Sequence, residues 1–129
     1  MNKPDIFKAF NNHFVEFVDD IQSIFPDDRD INMTRDTLLL LKRSNPKMLI
    51  DIWYNHITVK YQKEIYEDNF DFFLEKNYSD DLNMGSKNNK ILEGIEKLRN
   101  PIRNMGDDNK EKCLAYIKNL TKLSEMYNS

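Results

Sequence analysis

The stretch PDIFKAFNNHFVEFVDDIQSIFPDD, residues 4–28, decides the class of the fold. Phe7, Phe10, Phe14, Phe17, Ile21 and Ile24 step by three and four residues in alternation, the apolar stripe of an amphipathic helix, and Val18 and Phe25 widen it. Pro4 suits a first helical turn, and Pro26 with the acidic pair after it closes the segment. Each stripe residue contributes roughly 1.5–3 kcal/mol if buried. The same spacing would serve a coiled-coil seam, but four phenylalanines are poor knobs for narrow two-stranded packing. Packing within a bundle is the expectation.

The remaining chain repeats that pattern. In DDRDINMTRDTLLLLKRSN, Asp30 is expected to cap a second helix with Ile31, Thr34, Leu38 and Leu41 on one face, and Lys42 and Arg43 favour its C-terminal dipole. Pro46 is placed to begin a third helix, NPKMLIDIWYNHITVKY, with a stripe of Leu49, Ile52, Trp53, His56, Ile57 and Tyr61. Tyr54 and Val59 fall off that stripe. Phe70, Phe73 and Leu74 suggest a short helix, residues 83–89 have loop composition, and Ile91, Leu92, Ile95 and Leu98 form another stripe that Pro101 interrupts. A last helix, capped by Asp107 or Asp108, carries Cys113, Leu114, Ile117, Leu120, Leu123 and Tyr127. Alternation of period two is missing over any useful length. The expectation is an all-α single domain over residues 1–129, a compact bundle of five or six helices around Phe10, Phe14, Phe17, Leu38, Trp53, Ile57, Leu98 and Ile117.

Bulk composition agrees. At 129 residues, 40% hydrophobic and 32% charged, the chain suits one globular core. The four leucines at 38–41 are its longest uncharged aliphatic run, so no membrane insertion is expected. The start shows no secretory pattern, which predicts a reducing compartment, and makes the sequons at Asn32, Asn77 and Asn119 accidental matches. Cys113 is the one cysteine, so neither an internal disulfide nor a cysteine zinc cage can form within the chain. Sixteen asparagines against two alanines and three glycines point to an AT-rich genome.

Several chemistries lack their residues. Gly85, Gly94 and Gly106 are isolated, which excludes the glycine loops that cradle phosphates. His13 and His56 have no second histidine at helical spacing, and His13 with Glu16 offers a single carboxylate. The aspartates from Asp19 to Asp30 lack the alternation and central glycine of a calcium loop. No pair of carboxylates is singled out for acid–base work, and no serine sits in a nucleophile-elbow pattern. No catalytic, cofactor-binding or metal-binding residue is assigned, and the chain is read as a non-enzyme needing no cofactor. Charge is more informative. Residues 1–30 hold three basic and seven acidic residues, residues 87–122 nine basic and five acidic. Lys97, Arg99, Arg103, Lys110 and Lys112 form a candidate basic surface near Pro101, with Arg99, Arg103 and Lys110 as the partner-binding choice. The ordinary reading of the same charges is a solvated helix pair that complements the acidic N-terminal helix. It is favoured over nucleic-acid binding by the pI of 5.4 and by the lack of interleaved exposed aromatics.

The blocks FNNHFVEFVDDIQSIFPDD, NPKMLIDIWYNHITVKY with FDFFLEKNYSDDL, and ILEGIEKLRNPIRNM with YIKNLTKLSEMY resemble, in that order, a group of small uncharacterised helical proteins of nucleocytoplasmic large DNA viruses, the giant viruses of amoebae and algae. The likeness covers nearly the whole chain and carries no catalytic motif. It implies a viral protein in the host cytoplasm or the virion. With the charge pattern, it leads to the expectation of a non-catalytic interaction or structural protein, a virion or assembly component, that binds a protein partner or itself. The alternative is a nucleic-acid-associated accessory factor in viral transcription, replication or genome packaging.

Overall fold

In the computed structural model, which describes residues 2–69, 97–98 and 101–129, the N-terminal stripe becomes α1, Lys3–Ile24. Asn2 caps it, its side chain accepting the Asp5 N–H at 3.0 Å, and Pro4 sits where a helix has no use for an N–H. Phe10, Phe14, Phe17, Val18 and Ile21 are buried as the spacing predicts, and Phe7, Ile24 and Phe25 lie half-buried against them. Ile6 and Asn11 are also buried; Asn11 donates to the Pro46 carbonyl at 3.0 Å and so ties α1 to the turn after the second helix.

That second helix, α2, spans Arg29–Ser44 and buries Ile31, Thr34 and Leu38. Its cap is Asp28, not Asp30: Asp28 Oδ1 accepts the Ile31 N–H at 3.1 Å, and Asp30 falls inside the first turn, where its charge faces the dipole. The third segment is longer than its stripe suggests. α3, Met48–Trp53, runs through a π-helical turn, Tyr54–Thr58, into α4, Val59–Tyr66, with Pro46 in the turn before it. The Val59 N–H reaches back five residues to the Tyr54 carbonyl. α4 stops where Asp68 takes a φ of 61°, and Asn69 N–H bonds the Glu64 carbonyl at 2.8 Å.

The final helix, α5, spans Asp107–Tyr127. Gly106 occupies its cap position, with Asp107 and Asp108 in the first turn, so neither aspartate is the cap. α5 packs most extensively on α1. Phe7 meets Tyr127 at one end and Asp20 meets Lys112 at the other, so the two long helices run antiparallel. α3 packs on both, and the π-turn and α4 pack on α5.

The fold is all-α, and no strand occurs among the described residues. All eight residues named above as the expected centre are 3% exposed or less. Trp53 presents its ring edge-on to Phe10 and Phe14, at 6.2 and 6.4 Å between centroids and 69° and 83° between planes, an arrangement favoured by the aromatic quadrupole. Leu98, Ile102 and Met105 join this core from the chain before α5. The expected helix at Phe70, Phe73 and Leu74, the loop at 83–89, and Ile91, Leu92 and Ile95 lie outside the described residues.

Candidate interaction surface

Of the three residues chosen for partner binding, Arg99 lies outside the described residues. Arg103 is exposed in a helical turn at 101–103, and Lys110 is half-buried in the first turn of α5. Between them the chain reverses through Asn104–Gly106, held by Asn104 N–H to the Pro101 carbonyl at 3.1 Å and Met105 N–H to the Ile102 carbonyl at 3.2 Å. Buried Ile102 and Met105 anchor this turn, which sets Arg103 and Lys110 on its two sides. A hollow of about 250 Å³ beside it has Asp28 and Asp30 on one wall and Lys97, Pro101 and Asn104 on the other. The basic segment thus faces the acidic α1–α2 turn.

The same complementarity recurs along α5, toward α1 and toward the end of α4. Lys112 Nζ stands 3.2 Å from Asp20 Oδ2, and Lys118 Nζ bonds Asp68 Oδ1 at 3.0 Å. Burial first, then hydrogen bonding to Asp20 and its charge, pushes the Tyr116 phenol up to about 12. Next along α1, His13 lies 4.6 Å from Tyr116 ring to ring, with Nδ1 3.7 Å from Glu16. Its Nε2 is covered by protein, so the imidazole has no nitrogen both open to solvent and free of the Glu16 charge. A general base must reach the proton it takes, and this histidine is placed to brace α1 on α5 instead. On the far side of α5, burial followed by the Glu125 hydrogen bond and charge raises the Tyr66 phenol well above its ordinary range. Among the described residues no three His, Cys, Asp or Glu side chains could hold a metal ion together.

Burial of the Cys113 thiol, aided by the Asp20 charge and opposed by Lys112, pushes it up to about 11. It contacts Met105 Sδ at 3.6 Å as a small apolar residue would. No helix among the described residues is long and apolar enough to cross a membrane.

No family model, no curated protein and no solved structure matches the chain. The geometry therefore supplies the functional argument.

A buried polar seam is the feature that stripe reading missed. Trp53 Nε1 donates to Thr121 Oγ1 at 3.2 Å, and Thr121 Oγ1 donates to the Ile117 carbonyl at 2.8 Å. Beside it, Ser124 Oγ donates to the Thr121 carbonyl at 2.7 Å; that uses its one proton, so Thr58 is the donor in the 2.6 Å contact between the two hydroxyls. The π-turn makes this alignment. Five residues of α-helix would leave Trp53 and Thr58 about 140° apart around the axis, whereas the wider turn, bonding from i to i+5, brings them much closer to one face. The available signal was Thr121 and Ser124, three residues apart on the stripe of Ile117 and Leu120.

Proposed function

We propose that this chain is a non-catalytic interaction protein that works through the outer faces of its helices. The observation that carries the reading is how the side chains divide. Trp53, Phe10 and Phe14 are 1% exposed or less, and the tryptophan's polar atom is satisfied inside the protein, so the aromatic cluster lines no open cavity. What faces outward is charge around Arg103 and Lys110, together with large apolar side chains, Met33 and Leu40 on α2, Val59 on α4 and Met126 on α5. Recognition by a partner needs such surfaces, and transformation of a substrate needs convergent polar groups in a pocket. The resemblance to proteins of large DNA viruses supplies the proposed setting, a virion or assembly component in the host cytoplasm.

Affinity capture from infected cells, with the wild-type chain and with the triple variant Arg99→Ala, Arg103→Ala, Lys110→Ala, tests the basic turn. The expected result is a protein partner held by the wild type and lost by the variant. Retention of every partner by the variant overturns the assignment of this surface. Capture that is nucleic-acid-dependent and falls steeply with salt would replace the reading with a nucleic-acid role.

A further inference from the structure

The outer face of α2 carries a pattern that none of the preceding roles uses. Met33 is 67% exposed and Leu40 60%; the other exposed large hydrophobics among the described residues, Val59 at 61% on α4 and Met126 at 38% on α5, stand on different helices. Seven residues is two helical turns, so the two side chains stand on one line about 10 Å apart along the helix. Thr37 and Asp36, both exposed, lie between them, and Ile31, Thr34 and Leu38 point the opposite way into the core. Single exposed apolar residues need no explanation. A pair in register on a face otherwise rich in charge does.

The charges flanking the pair choose the occupant. Beyond the N-terminal end of the pair lie Asp27, Asp28 and Asp30 against Arg29; beyond its C-terminal end lie Arg43 and Lys47 with no acid, Lys42 being turned to the opposite side of the helix. The helix dipole is opposite in sign to these side chains at each end, so it stabilises them within one α2 while offsetting part of the contrast that a second copy meets. A second α2 laid antiparallel across the first sets each acidic end over the other's basic end, and a parallel one sets like on like. The apolar pair is symmetric under the same operation: a two-fold axis between Asp36 and Thr37 places each Met33 against the other copy's Leu40. Contacts of this kind, where one patch binds its own copy, are what two-fold dimers are built from.

We infer that α2 is a self-association surface through which two copies of this chain pair antiparallel, Met33 of each against Leu40 of the other. α2 is about 24 Å long, and one helix face buries less area than a standard stable interface. The dimer is accordingly weak, reversible and dependent on concentration and salt. This inference rests on the reading of the protein as an interaction module but turns on Met33 and Leu40 rather than on Arg103 and Lys110, so separate variants test the two.

Sedimentation equilibrium of the full chain from micromolar to millimolar concentration is expected to show a mass rising from monomer toward dimer, less steeply at high salt. Met33→Glu should weaken the association by roughly tenfold or more, because a carboxylate then faces the partner's Leu40. Both side chains are exposed, so the circular dichroism should stay that of the wild type. Orientation is read by oxidative cross-linking. Thr37→Cys, beside the axis, should link to itself; Met33→Cys should link to Leu40→Cys in a mixture and poorly to itself. A monomer throughout the range, a dimer indifferent to Met33→Glu, or Met33→Cys linking to itself in preference to Leu40→Cys each overturns the inference. A monomer that still captures a cellular protein would sink the dimer and leave the interaction role standing.

Discussion

Thr121→Val tests the reasoning about the buried seam most directly. Valine has nearly the shape of threonine, so the substitution opens no cavity, and its whole effect comes from removing the oxygen that accepts the Trp53 N–H at 3.2 Å. Trp53 is 1% exposed and Thr121 fully buried, so water cannot take the place of that oxygen without rearrangement. The Ile117 carbonyl loses the threonine proton but keeps its place in the helix ladder. The indole N–H is left a buried donor without an acceptor, which costs about 1–3 kcal/mol. Against a urea dependence of roughly 1–3 kcal/mol per molar, that moves the unfolding midpoint down by about 1 M. Trp53 is the chain's one tryptophan, so its emission follows both the transition and the polarity around the indole. Thr121→Ser is the control, since it retains the oxygen and should recover most of the loss. If Thr121→Val unfolds within about 0.5 kcal/mol of the wild type, or Thr121→Ser is as damaging, the oxygen is not what holds the tryptophan.

Three further outcomes follow from particular atoms. Tyr116 should titrate near 12 rather than at its ordinary 10.0; the unfolded chain then gives up a proton between those values that the folded chain retains, so stability falls as pH rises through that window and is unaffected below it. Asp20→Asn should bring the tyrosinate absorbance midpoint of Tyr116 down but not to 10.0, because burial, the leading cause, remains. Cys113 should be inert to a thiol reagent in the folded protein and react at once in urea, its thiol being buried and pushed up to about 11. Asp28→Ala should cost about 1 kcal/mol through the lost cap, and Asp30→Ala less, which comparison of their denaturation midpoints would check.

The apolar positions of the fold were legible because burial follows a period that sequence displays. Phe10, Phe14, Phe17, Leu38, Trp53, Ile57, Leu98 and Ile117 were identified from spacing and are buried. Caps were harder. Asp27, Asp28 and Asp30 all have a suitable side chain, and only the φ and ψ at which the helix begins singles out Asp28. His56 was placed on the buried stripe and is half-exposed, while Thr58, Ile65 and Ile50 were overlooked and are buried. Ile50 precedes the wider turn and broadens the stripe beside Leu49, and Ile65 continues the stripe one turn past Tyr61. For His56 and Thr58 the cause is the backbone: a 3.6-residue period projected through residues 54–58 goes out of phase where it takes a wider turn, and the polar partners of that turn lie on α5, more than sixty residues away. Of the chosen site, Arg103 and Lys110 were legible as exposed or half-exposed charge; that Lys112 and Lys118 answer Asp20 and Asp68 needed the third dimension.

The seam also bears on why the wider turn is tolerated at all. A regular helix from α3 through α4 would have better hydrogen-bond geometry, and an all-apolar contact with α5 would avoid burying hydroxyls. Neither would fix the register of the two segments as sharply, because apolar side chains of similar volume can stand in for one another in a core. The Trp53–Thr121 and Thr58–Ser124 bonds hold only at one offset, and a slip would leave the buried indole N–H and the Thr58 hydroxyl unpaired. In a core built mostly from interchangeable aliphatic and aromatic side chains, the cost of misalignment is concentrated in those groups. The π-turn is what lets a tryptophan and a threonine five residues apart present them to one face of α5, and thereby determines which residues of α4 are left facing outward.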